Sequence, residues 1–144
     1  MSASEENTPV HLWIVAVLAI LWDAMGAFDY SATQLRLDFY MSQFTPEQLD
    51  YFYSFPAWAD GAWAIAVWAS LVAAFGLLLR RAWSVWLFGL AILALLATTI
   101  YNFGLSDGAA VMGEGATAFT AVIWLIAIGL FVYARVMVQK GVLH

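Results

Sequence analysis

Residues 82–106 read AWSVWLFGLAILALLATTIYNFGLS and contain no charged side chain. A helix of this length can cross the hydrocarbon core of a bilayer, which is roughly 30 Å thick and needs about 20 apolar residues. Two further uncharged stretches, residues 61–79 and 115–134, approach or reach the same length. We therefore expect each of these three stretches to be a membrane-spanning helix.

A fourth apolar stretch, residues 11–28, reads HLWIVAVLAILWDAMGAF and is interrupted by one charged residue, Asp23. It differs from a secretory signal peptide because Glu5 and Glu6 stand where basic residues are expected. We therefore expect a retained first helix. The prediction is one transmembrane domain with four spans at about residues 11–29, 60–79, 82–104 and 115–135, and an outer segment at residues 30–59.

The composition excludes several classes of protein. The chain of 144 residues is 65% hydrophobic and only 10% charged, whereas soluble domains carry about 25% charged residues. A net charge of −5 with five basic residues offers no surface for nucleic acid. The chain has no cysteine and only two histidines, and no catalytic set is visible. We therefore predict a membrane protein that is not an enzyme and holds no metal or cofactor.

The basic residues predict the orientation of the chain. Four of the five lie at one predicted side of the membrane, namely Arg80, Arg81, Arg135 and Lys140, and only Arg36 lies at the other. Lys and Arg are enriched in cytoplasmic loops. Both termini and the short turn after the second span are therefore expected to be cytoplasmic.

The connections complete the predicted fold. Because the turn between the second and third spans is very short, these spans should form an antiparallel hairpin. Thr45-Pro46-Glu47-Gln48 has the spacing of a capping box with proline at the first helical position. The predicted fold is therefore all-α: a polytopic four-transmembrane-helix bundle with a short amphipathic outer-face helix between spans 1 and 2.

Small residues predict which helix faces pack together, since close approach replaces the hydrophobic drive between helices in lipid. The second span carries Ala62, Ala66, Ser70 and Ala74 at four-residue intervals. On the first span, Asp23 shares a face with Ala16, Ala19 and Gly26, and this face should point into the bundle. Asp23 would then lie about 10 Å below the outer end of its helix, with no basic partner in any span.

An ionisable residue inside a span is costly and is a candidate functional residue. The topology brings further polar and aromatic groups towards the same end of the bundle. The candidate ligand-binding or proton-linked residues are Asp23, Asp60, Tyr101, Asn102 and Glu114, with Trp22 and Trp63 as candidate aromatic lining. Structural roles remain open: Asp60 and Glu114 suit helix N-termini, and Asn102 or Tyr101 could hydrogen-bond Asp23.

Four segments resemble a family of small bacterial inner-membrane proteins commonly labelled hypothetical proteins or sugar transporters. They are LWDAMGAFDYSATQ at residues 21–34, FTPEQL at 44–49, FPAW at 55–58 and LLLRR at 77–81. The resemblance covers most of the chain. It implies four spans and a bacterial inner membrane, and it identifies no binding residues.

Two functions fit these observations. The first is the handling or transport of a small solute or cation through an acidic, aromatic pocket that faces outward. The second is a non-catalytic accessory or scaffold subunit of a larger membrane complex. The expected partners are the lipid bilayer and a small-molecule or cation ligand. Because four short helices can hardly enclose a solute path, we also expect either further copies of the chain or a larger membrane complex.

Overall fold

The computed structural model describes residues 8–144, which form seven α-helices and no β-strand. The helices are α1 (Val10–Gln34), α2 (Asp38–Met41), α3 (Pro46–Tyr53), α4 (Ala57–Leu78), α5 (Ser84–Ile100), α6 (Gly108–Met112) and α7 (Glu114–Gln139). A π-helical turn, Tyr101–Leu105, continues α5. Four of these elements, α1, α4, α5 with its π turn, and α7, are long and apolar enough to cross a membrane. The predicted all-α four-span bundle is confirmed.

The four long helices pack in a row rather than in a closed ring. Helix α1 packs on α4, α4 on α5, and α5 on α7, whereas the backbones of α1 and α7 scarcely approach each other. Side chains join this last pair. His11 Nδ1 lies 2.5 Å from the Tyr133 hydroxyl, and the rings of Trp22 and Phe119 lie 5.7 Å apart. We refer to this weakly packed boundary as the α1–α7 seam.

The small-residue face of α1 packs into the bundle, as its sequence predicts. Ala16, Ala19 and Ala27 are buried, and Asp23 lies on the same face and is buried with them. On α4 the buried residues are also mostly small: Ala59, Ala62, Ala73, Ala74, Gly76 and Leu77. Close backbone approach at such residues is the usual basis of helix association in lipid.

One end of the bundle, which we call the turn end, holds the α4–α5 turn and the last residues of the chain. Helix α4 stops where Arg80 adopts a positive φ of 56° and the Arg81 N–H donates to the Gly76 carbonyl at 2.8 Å. The His144 N–H donates to the Arg80 carbonyl at 3.1 Å, and the Ala82 N–H donates to the His144 carbonyl at 3.3 Å. The hydrophobic core lies beside this turn: Leu12, Ala16, Ala73, Leu77, Phe88, Ala134, Met137, Val142 and Leu143.

The opposite end, the cap end, is covered by the three short helices α2, α3 and α6. The capping box of α3 is present, because the Gln48 N–H donates to Thr45 Oγ1 and the Thr45 N–H donates to Gln48 Oε1, both at 3.2 Å. The Gln48 side-chain amide also donates to the Val111 carbonyl at 3.4 Å. This contact ties α3 to α6 and holds the cap together.

Helix α1 continues to Gln34, five residues beyond the span end predicted near residue 29. It stops where Arg36 adopts a positive φ of 53° and the Leu37 N–H donates to the Ala32 carbonyl at 3.0 Å. This is the hydrogen-bond pattern of a Schellman motif, in which glycine is the usual residue at positive φ. Here the Arg36 guanidinium lies 3.9 Å from the centre of the Tyr53 ring, a cation–π contact that helps to hold the turn.

Candidate functional site

A cavity of about 480 Å³ lies between α1, α4, α5 and α7 and is covered at the cap end by side chains of the short helices and their connections. This volume lies within the range of about 300–1,000 Å³ typical of small-molecule sites. Four of the candidate residues from the sequence line the cavity: Trp22, Asp23, Trp63 and Asn102. The structure therefore brings together the charged, amide and aromatic groups of three different spans.

Asp23 is the buried carboxyl group of this cavity that lacks a hydrogen-bond partner in the described part of the chain. Its side chain is only 8% exposed, and its Oδ2 atom is buried without a hydrogen-bond partner among residues 8–144. Because α1 continues to Gln34, Asp23 lies about 16 Å from the end of the helix at a rise of 1.5 Å per residue, near the middle of α1. An aspartate near the centre of a span costs roughly 2.5–3.5 kcal/mol on insertion scales, and no contact to Oδ2 offsets this cost.

The second carboxyl of the cavity, Asp29, has a partner. The Tyr40 hydroxyl donates to Asp29 Oδ1. Burial raises the pKa of the Tyr40 phenol above its ordinary value, and the hydrogen bond to Asp29 and its negative charge raise that pKa further. The phenol therefore stays protonated at neutral pH and remains a donor to Asp29.

Asn102 lies on the π-helical turn and is held by the cap. The Tyr51 hydroxyl donates to Asn102 Oδ1 at 2.5 Å, and burial raises the pKa of this phenol. Short π-helical segments occur frequently at functional sites, because the extra residue redirects neighbouring side chains. Neither Asn102 nor Tyr101 hydrogen-bonds Oδ2 of Asp23, although the sequence left that arrangement open.

Three of the candidate residues do not line the cavity. Asp60 lies in the first turn of α4, where it accepts a hydrogen bond from the Gln34 side chain at 3.1 Å. Glu114 is exposed in the first turn of α7. Both positions favour a carboxylate through the helix dipole. Tyr101 packs among aromatic rings of the cap, with its ring 4.9 Å from that of Phe55.

Aromatic rings form much of the cavity wall. Trp63 contacts Tyr30 at 4.9 Å and Phe55 at 5.9 Å between ring centres, and Trp22 contacts Phe119 across the α1–α7 seam. Sequence reasoning did not single out several residues that line the cavity: Tyr40, Tyr51, Phe55 and Phe119. The first three belong to the outer segment, and no periodic pattern there indicates which side chains point inward.

Among the described residues, the cavity lining offers two carboxyl groups, one amide, several hydroxyl groups and aromatic rings. In residues 8–144, no group of three or more His, Asp or Glu side chains is arranged to hold a metal ion. Comparisons with protein-family models, with curated proteins and with solved structures find no match for this chain.

Proposed function

We propose that this protein binds a small solute or cation in the cavity around Asp23, as the binding step of its movement across a bacterial inner membrane. The observation that carries the proposal is the buried Oδ2 atom of Asp23, which has no hydrogen-bond partner in the described part of the chain. It lies beside a cavity of ligand size. A bound molecule would supply the missing partner.

A purely structural role explains this carboxyl poorly. A buried polar group without a partner lowers stability, and an apolar side chain of similar size would avoid that cost. Asp60 shows the contrast, since its carboxyl sits at a helix N-terminus and accepts from Gln34. Buried ionisable residues in membrane spans commonly mark substrate or proton pathways.

The distribution of charge supports an outward-facing site. The turn end carries Arg80, Arg81, Arg135 and Lys140, and basic residues favour the cytoplasmic side. The cap end would then face outward and both termini would be cytoplasmic. Apart from Asp23, every acidic side chain in residues 8–144 lies at or near the cap end, which would raise the local concentration of cations there.

A second candidate function is that of an accessory subunit in a larger membrane complex. Helix α7 favours it, since only 17% of its most apolar 18-residue stretch is buried, against 28% in each of the other three spans. Its remaining face would contact a partner helix in such a complex, or a second copy of this chain.

Native mass spectrometry on protein extracted gently from its own membrane separates the two functions. If solute binding is correct, the wild-type protein carries a small bound molecule that Asp23→Asn loses. Asp50→Asn, which removes an exposed carboxylate outside the cavity, should retain it. Absence of a bound small molecule from all three proteins, with unrelated subunits bound at a fixed ratio, would instead establish the accessory role.

A further inference from the structure

Within the described residues, the lining of the cavity contains acidic side chains and no basic side chain. Asp23 and Asp29 are its two carboxyl groups, and no lysine, arginine or histidine lines it. Asp29 already accepts a hydrogen bond from Tyr40, whereas Oδ2 of Asp23 accepts none within residues 8–144. Asp23 is therefore the carboxyl group of the cavity that lacks a partner among these residues, and a ligand with a positive charge and an N–H donor would pair with its ionised form.

Of the seven hydroxyl groups that line the cavity in residues 8–144, five already donate within the protein, including those of Tyr40 and Tyr51. Thr98 and Thr99 each donate to the Leu95 carbonyl, at 2.9 and 2.8 Å, and Thr120 donates to the Ala116 carbonyl at 2.9 Å. A polyhydroxylated solute needs both donors and acceptors from its site, whereas an ammonium group only donates. The group that a ligand donor would satisfy is the buried carboxyl of Asp23, and an ammonium group is a strong donor to a carboxylate.

The wall around Asp23 suits an apolar body attached to that ammonium group. Trp22 and Phe119 form one aromatic contact at the cavity, and Phe55 and Trp63 form another. Aromatic faces attract cations, tryptophan most strongly, and they also bury apolar surface. A small inorganic ion would gain less from the aromatic part of this wall, because it has no apolar surface to bury.

The α1–α7 seam gives such a molecule a route from the bilayer. Met25 of α1 and Phe119 of α7 both line the cavity, and they are also 66% and 54% exposed on the outside of the bundle. The wall is therefore about one side chain thick at this boundary, where the two helix backbones scarcely approach each other. A ligand that dissolves in lipid could reach the cavity by rotation of the Phe119 ring.

We propose that the cavity binds a lipophilic amine in its protonated form, with the ammonium group donating to Asp23 and the apolar body lying among Trp22, Trp63 and Phe119. This inference rests on the proposed solute-binding function and specifies its ligand class.

Calorimetric titration of the full chain in phosphatidylcholine nanodiscs tests the ligand class. The probes are 2-naphthylmethylamine, which is protonated at neutral pH, its uncharged analogue 2-naphthylmethanol, and glucose, with empty nanodiscs as the blank. Because a hydrogen bond to a charged group is stronger than a neutral one, we expect the amine to bind the wild-type protein at least about tenfold more tightly than the alcohol. Glucose should bind more weakly than either.

Variants assign the preference to one carboxyl. Asp23→Asn should reduce the amine-to-alcohol ratio to about two or less, while Asp50→Asn keeps the wild-type ratio. Equal binding of amine and alcohol to the wild-type protein, or tighter binding of glucose, would overturn the amine assignment and leave solute binding intact. An unchanged ratio in Asp23→Asn would overturn it as well.

Absence of binding by all three probes would also overturn the ligand class. The proposed function itself fails only if native mass spectrometry also finds no small molecule on the wild-type protein. The comparison of amine with alcohol needs no variant, and it therefore remains decisive even if Asp23→Asn does not fold.

Discussion

The two ends of this bundle differ in how closely their helices pack. At the turn end, small and apolar side chains fill the space between helices, and Leu12, Leu77 and Leu143 are fully buried. Towards the cap end, the helices leave a cavity with a buried carboxyl at its side. The tightly packed end can hold the helices in place while an open volume, which extends to Phe88 of the core, remains between the helices in the rest of the bundle.

The buried polar atoms without partners sharpen this difference. In residues 8–144 there are two, the Ser84 hydroxyl at the turn end and Asp23 Oδ2 beside the cavity. Ser84 is small and neutral and packs against Gly76, where it serves as a spacer between α4 and α5. Asp23 is ionisable, and its burial is far more costly. Of the two residues, only Asp23 lines the cavity.

Replacing Asp23 with leucine should increase the stability of the protein. Removing an unpartnered carboxyl from the interior of a span should raise the free energy of unfolding by about 2 kcal/mol, and the adjoining cavity provides room for the larger side chain. The measurement is equilibrium unfolding in mixed micelles, followed by tryptophan fluorescence. Asp50→Leu should change stability by less than about 0.5 kcal/mol, and a loss of stability in Asp23→Leu would show that the carboxyl supports the fold.

Adding a methyl group at the tightly packed turn end should lower the free energy of unfolding. A β-carbon on Gly76 would lie 2.8 Å from Trp83 Cζ3 and 2.9 Å from Ser84 Cβ, and we therefore expect Gly76→Ala to lower the free energy of unfolding by about 1–3 kcal/mol. Gly129→Ala on α7 is the matched control, because a β-carbon there meets nothing within 4 Å. The control should gain about 0.5 kcal/mol from reduced backbone freedom. Equal effects of the two variants would contradict the tight packing of the turn end.

Removing the Tyr40 hydroxyl should weaken the cap by a smaller amount. Tyr40→Phe leaves Asp29 without its donor and should lower the free energy of unfolding by about 1 kcal/mol. Because the pKa of Tyr40 is raised in the folded protein, with burial as the main cause, the unfolded chain loses this proton first as pH rises. The contribution of the protonated Tyr40 phenol to stability is therefore fully present below its ordinary pKa of 10.0 and decreases above it.

The pH profile of unfolding gives the corresponding check. Between about pH 10 and 11, the free energy of unfolding should fall more steeply in the wild-type protein than in Tyr40→Phe. Parallel profiles would mean that the folded protein does not hold this phenol in its protonated form.

The fold could be predicted from the sequence because hydropathy, charge and capping signals are local. Length and apolar composition gave the four spans, and Thr45 with Gln48 gave the start of α3. The sequence does not mark where α1 ends, because the stop signal uses Arg36 at positive φ, where glycine is usual. A second arginine, Arg80, ends α4 in the same way.

The candidate site was only partly predictable. The small-residue face of α1 placed Asp23 inside the bundle, since a single helix period decides that orientation. Whether Asp60 or Glu114 reaches the same cavity depends on how α4 and α7 rotate about their axes, which packing sets. Asn102 lies on the π-helical turn, and the Tyr51 hydroxyl of α3 donates to it. Neither the turn nor this hydrogen bond leaves a periodic signal in the sequence.

Cysteine labelling tests most directly whether the cavity admits a cation, because the chain contains no native cysteine. Ser70 lines the cavity on α4, and Val72, two residues along the same helix, does not line it and is 46% exposed on the surface of the bundle. A thiol must ionise to react, which an aqueous cavity permits and hydrocarbon opposes. With a small cationic methanethiosulfonate reagent, we predict at least about tenfold faster labelling of Ser70→Cys than of Val72→Cys, slowed by 2-naphthylmethylamine. Equal rates, or faster labelling of Val72→Cys, would contradict a cation-accessible cavity beside Asp23.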